Sequence, residues 1–148
     1  MITIRIQTDD FNVDEEIARL KQSGDAGAVV TFTGSVRRDG DILSMTLEHY
    51  PGMTEREIGR HVDEANTRSS LLGVTIIHRI GELAPGENIV LVAVASTHRK
   101  DAFSAAEFLM DYLKTRAPFW KSEQRSGATE WVEARHSDEA AVNRWREG

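Results

Sequence analysis

The chain has 148 residues, enough for one domain with a real core, and its 40% hydrophobic and 28% charged residues are those of an ordinary globular protein rather than a disordered segment. A formal net charge of −6 disfavours non-specific nucleic-acid binding, which needs a positive surface. With no cysteine, disulfides, thiolate metal sites and a cysteine nucleophile are excluded.

No apolar run reaches the roughly 18 residues of a membrane span. The start, Met1 to Ile6, alternates like a strand and lacks the basic region, apolar block and cleavage site of a signal peptide, so a cytoplasmic location is expected. Residues 2–7 read as a strand. Asn12 can cap a helix from Val13 to about Gln22, with Asp14, Glu15 and Glu16 in its acidic first turn. After a break at Gly24 to Gly27, residues 28–37 are β-rich and mostly apolar and read as a buried strand. Arg38 to Asp41 is a turn, and Leu43 to Tyr50 is the next strand, with Met45, Leu47 and His49 on one face. Thr54 and Glu57 have the spacing of a capping box, and Ile58, Val62, Ala65 and Leu72 make an apolar helical stripe behind it.

Val74 to Ile80 reads as a strand that turns at Ala84 to Glu87 and pairs with Ile89 to Thr97. A helix from about His98 to Arg116 carries Ala102, Ala106, Leu109, Leu113 and Ala117 on its apolar side, and Pro118 ends it. Phe119 to Arg125 alternates as a strand, Thr129 to Ala134 returns as another, and Asp138 to Trp145 closes the chain as a short helix. No repeat, low-complexity tract or linker divides residues 1–148, which are expected to form a single α+β domain with a largely antiparallel sheet.

Four basic clusters stand out against the acidic background. Thr33 to Arg38 combines Gly34, which lets a ligand approach the backbone, with Arg37, whose planar fork suits phosphate; the plain alternative is a strand with solvated arginines. At Thr97 to Lys100 a strand hands over to a helix, where free N–H groups favour an anion and unpaired cations are unfavourable; alternatively His98 is a cap and Arg99 and Lys100 are solvated. In Asp111 to Glu123, Lys114 falls in a last helical turn and Lys121 on a strand face with Phe119 and Glu123. A lysine among apolar groups can serve in proton transfer, or can simply snorkel. Trp131 to Arg135 is the weakest of the four, a strand with one arginine.

His49 and His78 read as core or interface histidines, and His61 and His136 as solvated. No ligand-spaced cluster predicts a metal, and no Ser-His-Asp, Walker or dinucleotide signature is present.

In this order and over nearly the whole chain, GAVVTFTGSVR (27–37), LEHYPGMTE (47–55), IHRIGEL (77–83), STHR (96–99), MDYLKTRAPFWKSE (110–123) and WVEAR (131–135) resemble the catalytic large subunit of molybdopterin synthase, the MoaE family. The run MDYLKTRAPFWK is the most specific of these. The resemblance implies an α/β hammerhead-type fold with a small additional β subdomain, and a homodimer. It also implies a small ubiquitin-like sulfur-carrier subunit at each end, giving a heterotetramer. The partner's C-terminal Gly-Gly tail, as a thiocarboxylate, would enter a pocket here. Two sulfur transfers would convert cyclic pyranopterin monophosphate to molybdopterin, with no permanently bound cofactor.

Carried over by position, Lys114 would be the main catalytic lysine and Lys121 the second. Ser35, Val36, Arg37, His98, Arg99, Ser122 and Glu123 would line the substrate site, with His98 and Arg99 reaching in from the dimer mate. Phe32, Met110 and Arg135 would be secondary members of the pocket. Three departures bear on substrate contacts: Ser35 stands where the family often has lysine, the loop at 38–42 is short, and 66–72 lacks a Trp-Pro pair. The competing expectations are a non-catalytic scaffold for a ubiquitin-like tail and an RNA- or nucleotide-binding α+β module.

Overall fold

The computed structural model describes residues 1–125, the backbone of 128–132, and residues 141–145. Strand β1 (Ile2–Gln7) leads into helix α1 (Val13–Leu20), which Asn12 caps by accepting the Glu15 N–H at 3.1 Å. The buried Glu16 carboxylate holds Arg5 of β1 and, at 2.8 Å, Arg19 of α1, so an ion-pair cluster ties the first two elements together. Strands β2 (Ala28–Ser35) and β3 (Ile42–His49) follow, then helix α2 (Met53–Arg68). Next come β4 (Gly73–Arg79), the short β5 (Gly81–Leu83), β6 (Asn88–Ser96), helix α3 (Arg99–Thr115), β7 (Phe119–Arg125) and β8 (Ala128–Val132).

These strands make two four-stranded sheets, ordered β1-β4-β6-β2 and β5-β3-β7-β8. Only β1 and β4 pair parallel, so the expected α+β, largely antiparallel architecture is found. The first sheet is covered on both faces, which is why β4 and β6 are apolar at nearly every position. On one face Ile77, Leu91, Ala93 and Ala95 meet Leu20 of α1. On the other, Val74, Ile76, Val90, Val92 and Val94 meet Ile58, Val62 and Ala65 of α2 and Ala105, Phe108 and Leu109 of α3. Residues 141–145 are helical and join this larger core through the fully buried Val142 and through Trp145, edge-on to Phe108 at 5.3 Å.

The second sheet packs on the end of the first through a smaller cluster of Val36, Met45, Leu47 and Leu83, with Ile89 of β6 against it. This joint brings the chemistry-bearing strands together.

Several local expectations change. The cap of α2 is Gly52 rather than Thr54: Gly52 has φ +85°, and its N–H donates to Glu55 at 2.8 Å. Thr54 is buried instead, accepting the Tyr50 N–H at 3.0 Å and donating to the Pro118 carbonyl at 2.9 Å, while Glu57 pairs with Arg60. Leu72 is not part of the α2 stripe. The helix ends at Arg68, and Leu72 packs on the opposite face of the sheet beside the α1 cluster. His61, expected to be solvated, is only 6% exposed because α3 lies over it, with the Tyr112 ring 4.4 Å away. Strand β5 had no sequence signal beyond the turn chemistry around it. The expected start of the last helix at Asp138, the end of the last strand at Ala134, and His136 lie outside the described residues.

Candidate functional site

The register across the first sheet sets Ile6, His78, Val90 and Gly34 in one row, all on the face that carries α2 and α3. At Gly34 a Cβ would stand 2.9 Å from Val90 Cγ1, so glycine there lets β2 run close over β6. Beyond it the chain alternates sharply. Val36 is 2% exposed and packs on Met45, Leu47 and Leu83, while Ser35 and Arg37 on either side are exposed. The Val36 N–H donates to the Glu87 carbonyl at 2.9 Å, and its own carbonyl accepts the Gly86 N–H at 2.8 Å. Val36 is therefore an anchor whose backbone groups are already engaged, and Ser35 and Arg37 are the groups it presents.

In the second sheet, Met45, Leu47 and His49 pair with Glu123, Lys121 and Phe119, so these six residues share one face. Because Leu47 and Met45 also hold Val36, the segment Ser35 to Arg37 lies against the face that bears Lys121 and Glu123. Glu123 and Asp41 each receive Arg125 at 2.9 Å, which raises the arginine's pKa through those two hydrogen bonds. Ser122 is buried and alternates to the opposite face of the sheet, away from Lys121.

Phe119 is the hinge pin of the arrangement. Its ring stacks on His78 at 3.8 Å and 17°, and it lies 6.4 Å from His49, whose Nε2 is 3.5 Å from Glu55. Thr54 holds the preceding Pro118 carbonyl, so the start of α2 fixes where β7 begins. Lys114, in the last turn of α3, stands close enough to act on His78. Burial pushes the His78 pKa down to about 4, and the charges of Lys114 and His49 add to the effect. Lys114 itself is exposed, Lys121 is half-buried, and Met110, one turn before Lys114, packs half-buried on the core. Phe32 is 39% exposed on the α3 side of β2.

His98 and Arg99 are elsewhere. They begin α3, both exposed, and the fifteen residue-to-residue steps from Arg99 to Lys114 span about 22 Å of helix. The His98 side chain makes no capping bond, so its backbone carbonyl alone starts the helix, accepting the Ala102 N–H. A cavity of about 290 Å³ between Arg68, Glu107, Arg144 and Trp145 holds none of the expected site residues. Among the described residues, no three His, Asp or Glu side chains are placed to hold a metal ion. None of the described helices is long and apolar enough to cross a membrane.

The model of the family described as "MoaE protein" matches residues 6–116. The molybdopterin synthase catalytic subunit of Mesorhizobium japonicum is 56% identical over 97% of this chain and 93% of its own length. Among solved structures, the molybdopterin biosynthesis MoaE protein of Burkholderia ambifaria superposes with a TM-score of 0.87 at 48% identity, covering 99% of both chains. The chain belongs to the MoaE family. It is an enzyme subunit of the molybdopterin synthase catalytic type. The same fold recurs at 19% identity and TM-score 0.71 in a Helicobacter pylori protein described as a complex of subunits 1 and 2 of molybdopterin-converting factor, covering 90% of this chain and 91% of that one.

Of the residues singled out in this MoaE-family sequence, Lys121 and Glu123 share one strand face, Val36 packs on the residues paired with them and leaves Ser35 and Arg37 exposed on either side, and the charge of Lys114 reaches His78, whose ring stacks on Phe119 of that face. His98 and Arg99 lie at the other end of α3, and Arg135 lies outside the described residues. Two neighbours of these residues carry structural roles. His78 is the core or interface histidine the sequence suggests, with Nδ1 2.8 Å from the Arg79 carbonyl oxygen and its ring stacked on Phe119. Arg79, only 7% exposed, directs its guanidinium at backbone: Nε and Nη2 donate to Thr8 O at 3.1 and 3.0 Å, and Nη1 donates to Asn88 O at 3.1 Å.

Proposed function

We propose that this chain converts cyclic pyranopterin monophosphate to molybdopterin, taking sulfur twice from the C-terminal thiocarboxylate of a small ubiquitin-like subunit. The observation that carries the reading is that Lys121 shares a strand face with Phe119, whose ring stacks on the His78 that feels the charge of Lys114, while Val36 packs on the residue paired with Lys121 and leaves its neighbour Arg37 exposed.

The two reactants are both anions. At 4 Å and an effective dielectric near 20, two unit charges repel by about 4 kcal/mol, and a cation held at similar range offsets that repulsion. Lysine and arginine placed in advance supply the compensation without reorganisation during the reaction. Lys114 orients the thiocarboxylate and stabilises the oxyanion that develops as sulfur is transferred. Lys121, half-buried on the apolar face of β7, assists proton transfer, and Arg37 with Ser35 receives the substrate's phosphate. The sulfur nucleophile belongs to the partner, which suits a chain with no cysteine. No resident cofactor or metal is required. The working assembly is a homodimer with one small subunit at each end, located in the cytoplasm. Within it, His98 and Arg99 serve the neighbouring subunit's site, since they lie about 22 Å of helix from their own Lys114.

Replacing Lys114 with Ala is expected to reduce dithiolene formation by at least about a hundredfold, the usual scale for losing one oxyanion donor. The assay mixes thiocarboxylated small subunit with cyclic pterin, and circular dichroism checks that the fold is retained. Near-normal turnover would remove the mechanism. Retained binding of the small subunit with no turnover by the wild-type chain would favour the non-catalytic scaffold.

A further inference from the structure

We propose that Arg79 is a positioning residue for the segment Ser35 to Arg37: its buried guanidinium fixes residues 87 and 88, and through them the backbone from which Ser35 and Arg37 project. The inference rests on the reading of Arg37 given above, as the group that receives the substrate's phosphate, and adds a residue behind it.

The segment needs support from outside its own ladder. The β2–β6 pairing breaks just before it: Gly34 pairs with Val90 but Ser35 with Asn88, so Ile89 is passed over. At the next position Val36 faces two residues at once. It accepts the Gly86 N–H at 2.8 Å and donates to the Glu87 carbonyl at 2.9 Å, and Gly86 has φ +92°. This is a bulge with glycine in its first position. Two irregularities in succession weaken the ladder's hold on register, and a slip of one residue would turn Val36 outward and Arg37 inward. Val36 is 2% exposed while Ser35 and Arg37 stand in solvent, so the observed presentation requires residues 86–88 to stay in place.

Arg79, at the end of β4 and only 7% exposed, holds them. Its Nη1 donates to the Asn88 carbonyl at 3.1 Å and lies 3.6 Å from Glu87 Oε1. Nε and Nη2 both donate to the Thr8 carbonyl, at 3.1 and 3.0 Å, which anchors the same group to the chain just after β1. The Glu87 carboxylate carries the grip into the turn, because its Oε2 accepts the Ala84 N–H at 2.5 Å. Asn88 is held by its side chain as well, which donates to Asp10 at 3.1 Å. One planar fork thus ties the segment after β1 to the start of β6, a span that a lysine ammonium on a flexible stem does not reproduce.

Arg79→Lys keeps the charge and loses the fork. It is expected to raise KM for the cyclic pterin about tenfold, with kcat and KM for the small subunit little changed. A merely structural arginine would weaken the protein alike in every background, so the deciding measurement is a cycle with Arg37→Ala. If Arg79 acts through Arg37, then Arg79→Lys adds little to the KM of the Arg37→Ala chain. An equal rise in both backgrounds overturns the proposal, and so does a wild-type KM in folded Arg79→Lys. Where Arg79→Lys fails to fold, Glu87→Ala at an exposed position takes its place. Its KM for the pterin should rise about threefold, the scale of a half-exposed ion pair, and again not in the Arg37→Ala background. An unchanged KM in Glu87→Ala then overturns the proposal. A raised KM in Arg37→Ala beside a normal one in Arg79→Lys sinks only the role of Arg79. A normal KM in Arg37→Ala sinks the reading of that arginine beneath it.

Discussion

Two histidines are kept neutral by their surroundings, and both belong to the region where helices and sheets meet. His78 is depressed to about 4, first by burial and then by Lys114 and His49. His61 is lowered by burial and by Arg60, and its buried Nε2 finds no hydrogen-bond partner among the described residues. Protonating either ring is harder in the folded protein than in the unfolded chain, where histidine titrates near 6.5. Above pH 6.5 neither state holds the proton and the fold is at full strength. As pH falls below 6.5 the unfolded chain gains protons that the folded one refuses, and stability drops until the folded pKa is passed. For His78 that window runs from 6.5 to about 4, and the loss is at most about 3 kcal/mol. Urea midpoints measured between pH 7.5 and 4.5 should fall accordingly, and should fall less in His78→Phe. A midpoint flat across that range would contradict the burial of these rings.

At the level of elements, close backbone approaches decide where strands can lie. Gly27 leads into β2, and a Cβ there would stand 2.4 Å from the Thr97 carbonyl oxygen. The obstacle is backbone rather than the far end of a flexible side chain, so one of the two segments must move. Gly27→Ala is expected to cost about 2 kcal/mol, on the scale of other overpacked sites, and to appear as a lowered thermal midpoint. Gly40, whose Cβ would meet nothing within 4 Å, provides the contrast: it matters only for its φ of +60°. The start of α2 works similarly at a distance. Gly52 turns the chain, Thr54 reaches Pro118, and the position of Phe119 follows from both. A helix cap thus helps place an aromatic ring in the site.

At the scale of the whole molecule, the basic cluster at the N-terminal end of α3 stands apart from Lys114 at the helix's other end, with about 22 Å of helix between Arg99 and Lys114. One chain cannot fold that distance away, so a shared site requires a second copy. Co-expression of Arg99→Ala and Lys114→Ala chains tests this. In a mixed dimer one site would receive both intact residues and the other neither, so random assortment should restore about a quarter of wild-type activity from two inactive parents. No recovery in demonstrably mixed dimers would confine each site to its own chain, and an active Arg99→Ala parent would leave Arg99 outside it.

Local chemistry alone determined much of this protein. The alternation of residues 2–7, Asn12 before its acidic turn, the apolar β4–β6 pair and Pro118 after a helical stripe each specify their element through nearest-neighbour preferences, which survive folding. The stretch that carries Lys114 and Lys121 stands out too, because the motif around them is long. Which residues stand together was decided only by tertiary structure. The Gly52 cap displaced Thr54 because only glycine relaxes at that φ, α3 covered His61, and two sheets had to pack before His78 could stack on Phe119. Burial, stacking and charge proximity are relations between segments distant in sequence, and no window on the chain contains them.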